Sequence, residues 1–160
     1  MPNAKLQVEI KEDNFHGYAD MVNEDTVYEF KSQHSHSFWY VARALKAGKS
    51  IVDEKIQNFL QAGFYAMKLG KDFVCLVFIS KDDLCINQFK VSMGVLGDKV
   101  QKEIDTLIFF WEHGKLPPPE PRLFGVDKKT LKSKECEKYC PFRDKCYKQQ
   151  KENNETIQIR

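Results

Sequence analysis

The chain has 160 residues, 42% of them hydrophobic and 12% aromatic, and a formal net charge of +2. That length supports one core of ordinary size, and so balanced a charge does not by itself announce a nucleic-acid binder. No apolar run approaches the roughly 18–20 residues that span a bilayer, and the opening MPNAKLQVEIKED is polar and alternating rather than a secretory signal, so a cytoplasmic protein with no membrane partner is expected.

In chain order, residues 5–10 (KLQVEI) alternate as a first strand. A turn at Glu12-Asp13-Asn14 leads to a second strand near 15–22, and Asn23-Glu24-Asp25 turns the chain into a third, 26–31. These three predict an antiparallel meander. Ser32 to Ser37 is polar and reads as a loop. Phe38, Val41, Ala42 and Leu45 then recur at helical spacing, and Gly48 ends that short helix. The pattern over 53–69 predicts a longer helix, with an apolar stripe of Ile56, Leu60, Phe64 and Met67 and a polar stripe of Gln57, Gln61, Tyr65 and Lys68. Gly70 is its expected cap.

Residues 73–79 (FVCLVFI) are a continuous apolar run, as in a buried central strand. Residues 84–91 predict a neighbouring strand. A further amphipathic helix is expected over 96–113, with Val100, Ile104, Leu107, Ile108 and Trp111 at core spacing. The chain therefore divides into a core over 1–115, a proline-containing linker over 116–135 and a cysteine-bearing basic segment over 136–160.

One stretch carries most of the chemistry. Within GYADMVNEDTVYEFK, residues 17–31, Asp20 and Glu29 fall on adjacent predicted strands joined by a short turn, and Lys31 follows two residues later. Two carboxylates so placed offer oxygen ligands to a hard divalent cation. Side chains alternate along a strand, so Lys31 shares the face of Glu29, where its charge can stabilise phosphate and help orient a water. Acids and lysines at strand edges are common, and such a trio alone is usually solvated surface. Gly17 is expected to allow close approach of a ligand to the backbone. Gln61 and Tyr65, four apart, share one helix face.

Together these residues resemble the PD-(D/E)XK nuclease superfamily in its RecB-like branch, which includes the CRISPR adaptation nucleases. That branch reads GxxD, then (D/E)xK, then QxxxY on the next helix; here they are Gly17-Tyr18-Ala19-Asp20, Glu29-Phe30-Lys31 and Gln61 through Tyr65, with Leu69-Gly70 closing the helix. The resemblance spans roughly 5–91 and, with the cysteines, reaches 146. It implies an α/β (α+β) fold of the restriction-endonuclease type, a central mixed sheet flanked by helices. It implies Mg²⁺ or Mn²⁺ on Asp20, Glu29 and the Phe30 carbonyl, and a catalytic Lys31 that positions or activates water. Gln61 and Tyr65 would touch the DNA backbone and order the site. The implied activity is DNA cleavage, most often by an exonuclease, leaving 5′-phosphate ends. His34 and His36, close after Lys31, are candidates for phosphate contact, with plain exposure as the alternative. His16 reads as a supporting or ordinary strand residue, not a ligand.

Five cysteines in such a protein argue for thiols or a metal site rather than a disulfide framework. Cys136, Cys140 and Cys146 are spaced C-x3-C-x5-C, which suits Zn²⁺ or an iron–sulfur cluster; free thiols remain the third reading. The resemblance favours a 4Fe-4S cluster, although the family commonly reads C-x2-C-x5-C and takes its fourth ligand upstream of the core. None is identified here. Cys75 reads as a buried core thiol, Cys85 can face either way, and His113 suits only a zinc site. The family's helix before the first strand is also missing, so a protein partner that supplies an N-terminal element is one expectation. Residues 128–151 hold nine Lys/Arg against three acids, a local excess of +6. Lys129, Lys132, Lys134 and Arg143 are the candidate DNA contacts there.

The leading expectation is a metal-dependent DNA nuclease of recombination, repair or phage replication, of a phage or mobile-element type. Against it stand a non-catalytic DNA-binding or assembly subunit that keeps the fold, and a structure-selective endonuclease such as a junction resolvase.

Overall fold

A computed structural model of the chain describes residues 3–12 and 15–114, with Pro141, Asp144, Lys145 and Lys148 beyond them. The chain forms two compact units, Met1–Asp105 and Thr106–Arg160. The elements are β1 (Lys5–Glu12), β2 (Phe15–Val22), β3 (Thr26–Gln33), α1 (Ser35–Lys46), α2 (Ile51–Glu54), α3 (Ile56–Lys68), β4 (Phe73–Ser80), β5 (Ile86–Ser92) and α4 (Met93–Glu112). The strands form one sheet in the order β1-β2-β3-β4-β5. The β1–β2, β2–β3 and β4–β5 pairs are antiparallel, and β3–β4 is parallel. A parallel pair needs a crossover, which α1, α2 and α3 supply. The expected mixed α+β sheet flanked by helices is therefore present, and so is the meander at its start.

Strand β4 lies between two neighbours, and Val74 and Leu76 are wholly buried. On the opposite face Cys75 packs with Tyr28 and Val77, as expected of a core thiol, and burial pushes its pKa up. Exposed Cys85 lies between β4 and β5.

Three local expectations are corrected. The polar stretch 32–37 is not a loop. Ser32 and Gln33 continue the pairing of β3, opposite Ile79 and Ser80. Helix α1 starts at Ser35, whose amide donates to Asp82 Oδ2 at 2.8 Å. The helix expected over 53–69 is broken at Lys55 (φ −128°, ψ 32°), which ends α2 and precedes α3. Its core face is Phe59, Ala62, Gly63 and Ala66, while Ile56, Leu60, Phe64 and Met67 are only half-buried. Small residues let the helix pack closely: a Cβ at Gly63 would lie 2.6 Å from Val100 Cγ2 of α4. In α4, Val100 and Ile104 are buried, but Leu107 and Trp111 are 43% and 74% exposed.

The cap at Gly70 is as expected. Its φ is +61°, the Lys71 amide donates to the Ala66 carbonyl, and the Gly70 amide donates to that of Met67. This is the reversed bonding by which glycine closes a helix. Among the described residues no helix is long and apolar enough to cross a membrane.

Candidate active site

The β2–β3 pair is regular only near its turn. Met21 pairs with Tyr28 and Val22 with Val27, and no pairing continues beyond. At that point Asp20 Oδ2 accepts the Phe30 amide at 2.8 Å, so a side chain replaces the ladder partner. Burial in β2 marks the same place. Ala19 and Val22 are both buried, three residues apart, so the period-two alternation slips by one between them. Across the β1–β2 ladder the registered pairs run through Leu6–Met21 and Val8–Ala19 but omit Gln7–Asp20. Gln7 has φ +50°, a left-handed conformation that costs a non-glycine residue about 1 kcal/mol or more. Its Nε2 lies 3.5 Å from Asp20 Oδ1. Both strands are distorted opposite one another, and the distortion is what aims Asp20.

Glu29, one residue before Phe30, is 3% exposed. Its Oε1 lies 2.6 Å from Lys31 Nζ. Its Oε2 is buried and has no hydrogen-bond partner among the described residues. Burial pushes the carboxyl pKa up, Lys31 pulls it back through a hydrogen bond and its charge, and the nearby negative charge of Asp20 raises it further. Lys31 Nζ also donates to Gln61 Oε1 of α3 at 3.1 Å. One turn on, the Tyr65 ring lies against Gly17: a Cβ there would be 2.6 Å from the Tyr65 hydroxyl. Gly17 thus makes room for Tyr65 rather than for a ligand, which corrects the role expected of it. Phe15 and Phe64 extend the same β2–α3 contact, their ring centroids 5.0 Å apart.

Asp20, Glu29, Lys31 and Gln61 are therefore joined by direct contact or by charge, and Tyr65 of α3 lies against Gly17, three residues before Asp20 on β2. Phe30 contributes its amide to this arrangement. The two carboxylates fit a hard cation. A buried carboxylate oxygen with no partner is costly, and beside a second carboxylate it is costlier still; a divalent cation would relieve both. No cluster of three or more His, Cys, Asp or Glu suited to a metal occurs among the described residues; a cation here would have Asp20 and Glu29 as its carboxylate donors, a sparse set of the kind Mg²⁺ accepts.

The histidines bond to other groups or are exposed. His34 is exposed, with Nδ1 3.8 Å from Asp82 Oδ1, and His36 is exposed at the start of α1. His16 Nε2 is 2.9 Å from Glu9 Oε1 on the hairpin surface, as an ordinary strand residue would be. His113 Nδ1 is 2.7 Å from the Phe109 carbonyl. Cys136, Cys140, Cys146, Lys129, Lys132, Lys134 and Arg143 lie outside the described residues. Two residues near the site escaped the sequence. Gln7 carries no local signal, being an ordinary polar residue in an alternating strand. Lys55 has its Nζ 5.4 Å from the centroid of Phe78, the β4 partner of Lys31, and burial lowers its pKa. It looked like part of a continuous helix.

No family model matches the chain, and no curated protein matches it in sequence. Among solved structures it is similar to an alkaline exonuclease, LHK-Exo, from Laribacter hongkongensis, with a TM-score of 0.49 and 12% identity over 69% of this chain and 58% of that one. The same exonuclease in complex with dAMP gives 0.47 and 15% over 68% and 57%. The chain thus spans less than two thirds of these structures' length. Identities this low concern the fold alone, and function is argued from the site's own geometry.

Proposed function

We propose that this chain is a divalent-metal-dependent nuclease that hydrolyses phosphodiester bonds in DNA. The observation that carries the proposal is the buried, unpartnered Glu29 Oε2, beside an Asp20 that the strand distortion holds in place. Asp20 and Glu29 would hold Mg²⁺ or Mn²⁺, which when bound supplies Lewis acidity and a more acidic water. Lys31, anchored between Glu29 and Gln61, keeps a positive charge where the phosphate gathers negative charge in the transition state. Tyr65 sets the spacing between α3 and the hairpin.

Cleavage from DNA ends follows from the family resemblance rather than from the geometry, as do roles in recombination, repair or phage replication and an iron–sulfur occupant for the three cysteines. The deciding experiment incubates 5′-labelled linear DNA and a covalently closed circle with the purified chain in Mn²⁺ and in chelator. Cleavage of the linear DNA only, lost in chelator and in Asp20→Asn, is expected. Cutting of the circle would replace the exonuclease with an endonuclease. Cleavage in full chelator would remove the metal from the proposal, and full activity in Asp20→Asn would remove the site. A brown preparation that loses its colour in Cys140→Ser is expected for a cluster; zinc alone by elemental analysis would exclude one.

A further inference from the structure

Helix α1 has two unlike faces. Phe38, Val41 and Ala44 are buried. On the opposite side His36, Trp39, Tyr40 and Arg43, spaced three and four apart, form one stripe, and Trp39 and Tyr40 are 47% and 40% exposed. Large aromatic rings left in water on consecutive positions forgo burial that most such rings obtain. Arg43 lies alongside, its Nε 3.5 Å from the Trp39 carbonyl. Tyr40 is close enough to Lys49 to influence its charge. From Ser32 to Val52 the sequence holds Arg43, Lys46, Lys49 and two histidines and has no aspartate or glutamate. The stripe begins five residues after Lys31, and its length from His36 to Arg43 is about 10 Å at the helical rise.

From this juxtaposition we infer that the exposed face of α1 is a stacking platform for single-stranded DNA leading to or from the site at Lys31. Flat aromatic faces accept any base, and cations beside them accept the backbone, which is the chemistry of sequence-tolerant single-strand binding. A duplex hides its base faces and gains little from such a surface. The inference deepens the nuclease proposal and relies on it only for where the strand goes; the binding itself stands apart.

The test measures anisotropy of a labelled oligo(dT) and of a duplex of equal length, in chelator so that nothing is cut. Trp39→Ala with Tyr40→Ala should weaken single-strand binding by about 10-fold or more, given about 1–3 kcal/mol per stacked base, and leave duplex binding within about two-fold. Trp39→Phe with Tyr40→Phe should restore most of the loss, which a folding defect would not. In a Trp111→Phe background the one remaining tryptophan should be quenched by oligo(dT). Unchanged single-strand affinity, or an equal loss for both DNAs, overturns the platform. So does unchanged DNA affinity with a shift from dimer to monomer in sedimentation, which would make this face a contact between two copies. Hydrolysis of a small p-nitrophenyl ester of thymidine 5′-phosphate separates the two proposals: it should persist in the double alanine variant. If the native chain lacks it while the aromatic variants still lose oligo(dT), the nuclease proposal fails and the platform stands.

Discussion

The two ends of the β2–β3 pair are built on opposite principles. At the turn the polar groups bond to one another: Asn23 Oδ1 accepts the amides of Asp25 and Thr26 at 3.2 and 2.8 Å, the Asn23 amide donates to the Thr26 carbonyl, and the wholly buried Thr26 hydroxyl donates to Asp25 Oδ1 at 2.6 Å. At the other end the ladder stops, Gln7 is left-handed, and the buried atoms Glu29 Oε2 and Gln33 Nε2 have no partner among the described residues. Local satisfaction closes a turn. Unmet bonding capacity, held rigidly, prepares a place for something the chain itself does not provide.

The contrast yields five expectations, the largest at the open end. Lys31→Ala should lower the cleavage rate per folded molecule by about 10²–10³-fold, the scale for losing one transition-state charge stabiliser, and should also lower Tm in chelator, because the buried Glu29 loses its ion-pair partner; an unchanged rate would strip the open end of its catalytic meaning. Next, Mn²⁺ should raise the Tm of the native chain by mass action, worth about 2.7 kcal/mol at a hundred times the dissociation constant, and this gain should vanish in Glu29→Gln.

The same residue sets a pH dependence in the metal-free protein. Folding raises the Glu29 pKa above its ordinary value of 4.5, so the folded state binds the proton more readily. Its contribution is a stability fully present below that ordinary value, which fades as pH rises through the raised one. Glu29→Gln in chelator should therefore be more stable than the native chain at neutral pH, with a margin that disappears in acid. A constant margin across pH would assign the gain to packing instead.

At the closed end, Asn23→Ala should cost about 1–2 kcal/mol of stability, because two amides lose their shared acceptor, and leave the rate per folded molecule unchanged. A rate loss there would mean that the two ends are coupled. The smallest effect belongs to Gln7→Gly. Releasing a left-handed residue should return at most about 1 kcal/mol, and cleavage should fall if the distortion positions Asp20. Unaltered cleavage would reduce Gln7 to a bystander.

Much of this was legible in the residues. The meander, the buried β4 and the glycine cap at 70 follow from alternation, apolar runs and turn chemistry, which are local. Spacing of two along a strand put Lys31 on the face of Glu29, and spacing of four along a helix put Gln61 and Tyr65 on one face; that Gln61 meets the acids came from the family resemblance and not from the spacing. The slip at Asp20 was not readable, since it exists only between two strands and shifts both together. Nor was the break at Lys55, where apolar spacing continues across a non-helical residue. The buried face of α3 was missed for a related reason: alanine and glycine weigh little in a hydrophobic pattern, although their small size is what lets a helix come near. The role of Gly17 was misplaced because a missing side chain does not name the group that fills its space.

That last contact has a consequence of its own. The Tyr65 ring is a shim between the hairpin and α3, and its thickness gauges how deep the Asp20 segment sits. Mg²⁺ holds its oxygens at about 2.0–2.1 Å and Ca²⁺ at about 2.3–2.6 Å, a gap of a few tenths of an ångström. A methyl group at position 17, built 2.6 Å from the Tyr65 hydroxyl, must be met by a shift of the Tyr65 ring or of the hairpin. If Asp20 and Glu29 hold a cation as proposed, its preference would be adjustable from behind, by wedging the frame and leaving each carboxylate chemically untouched.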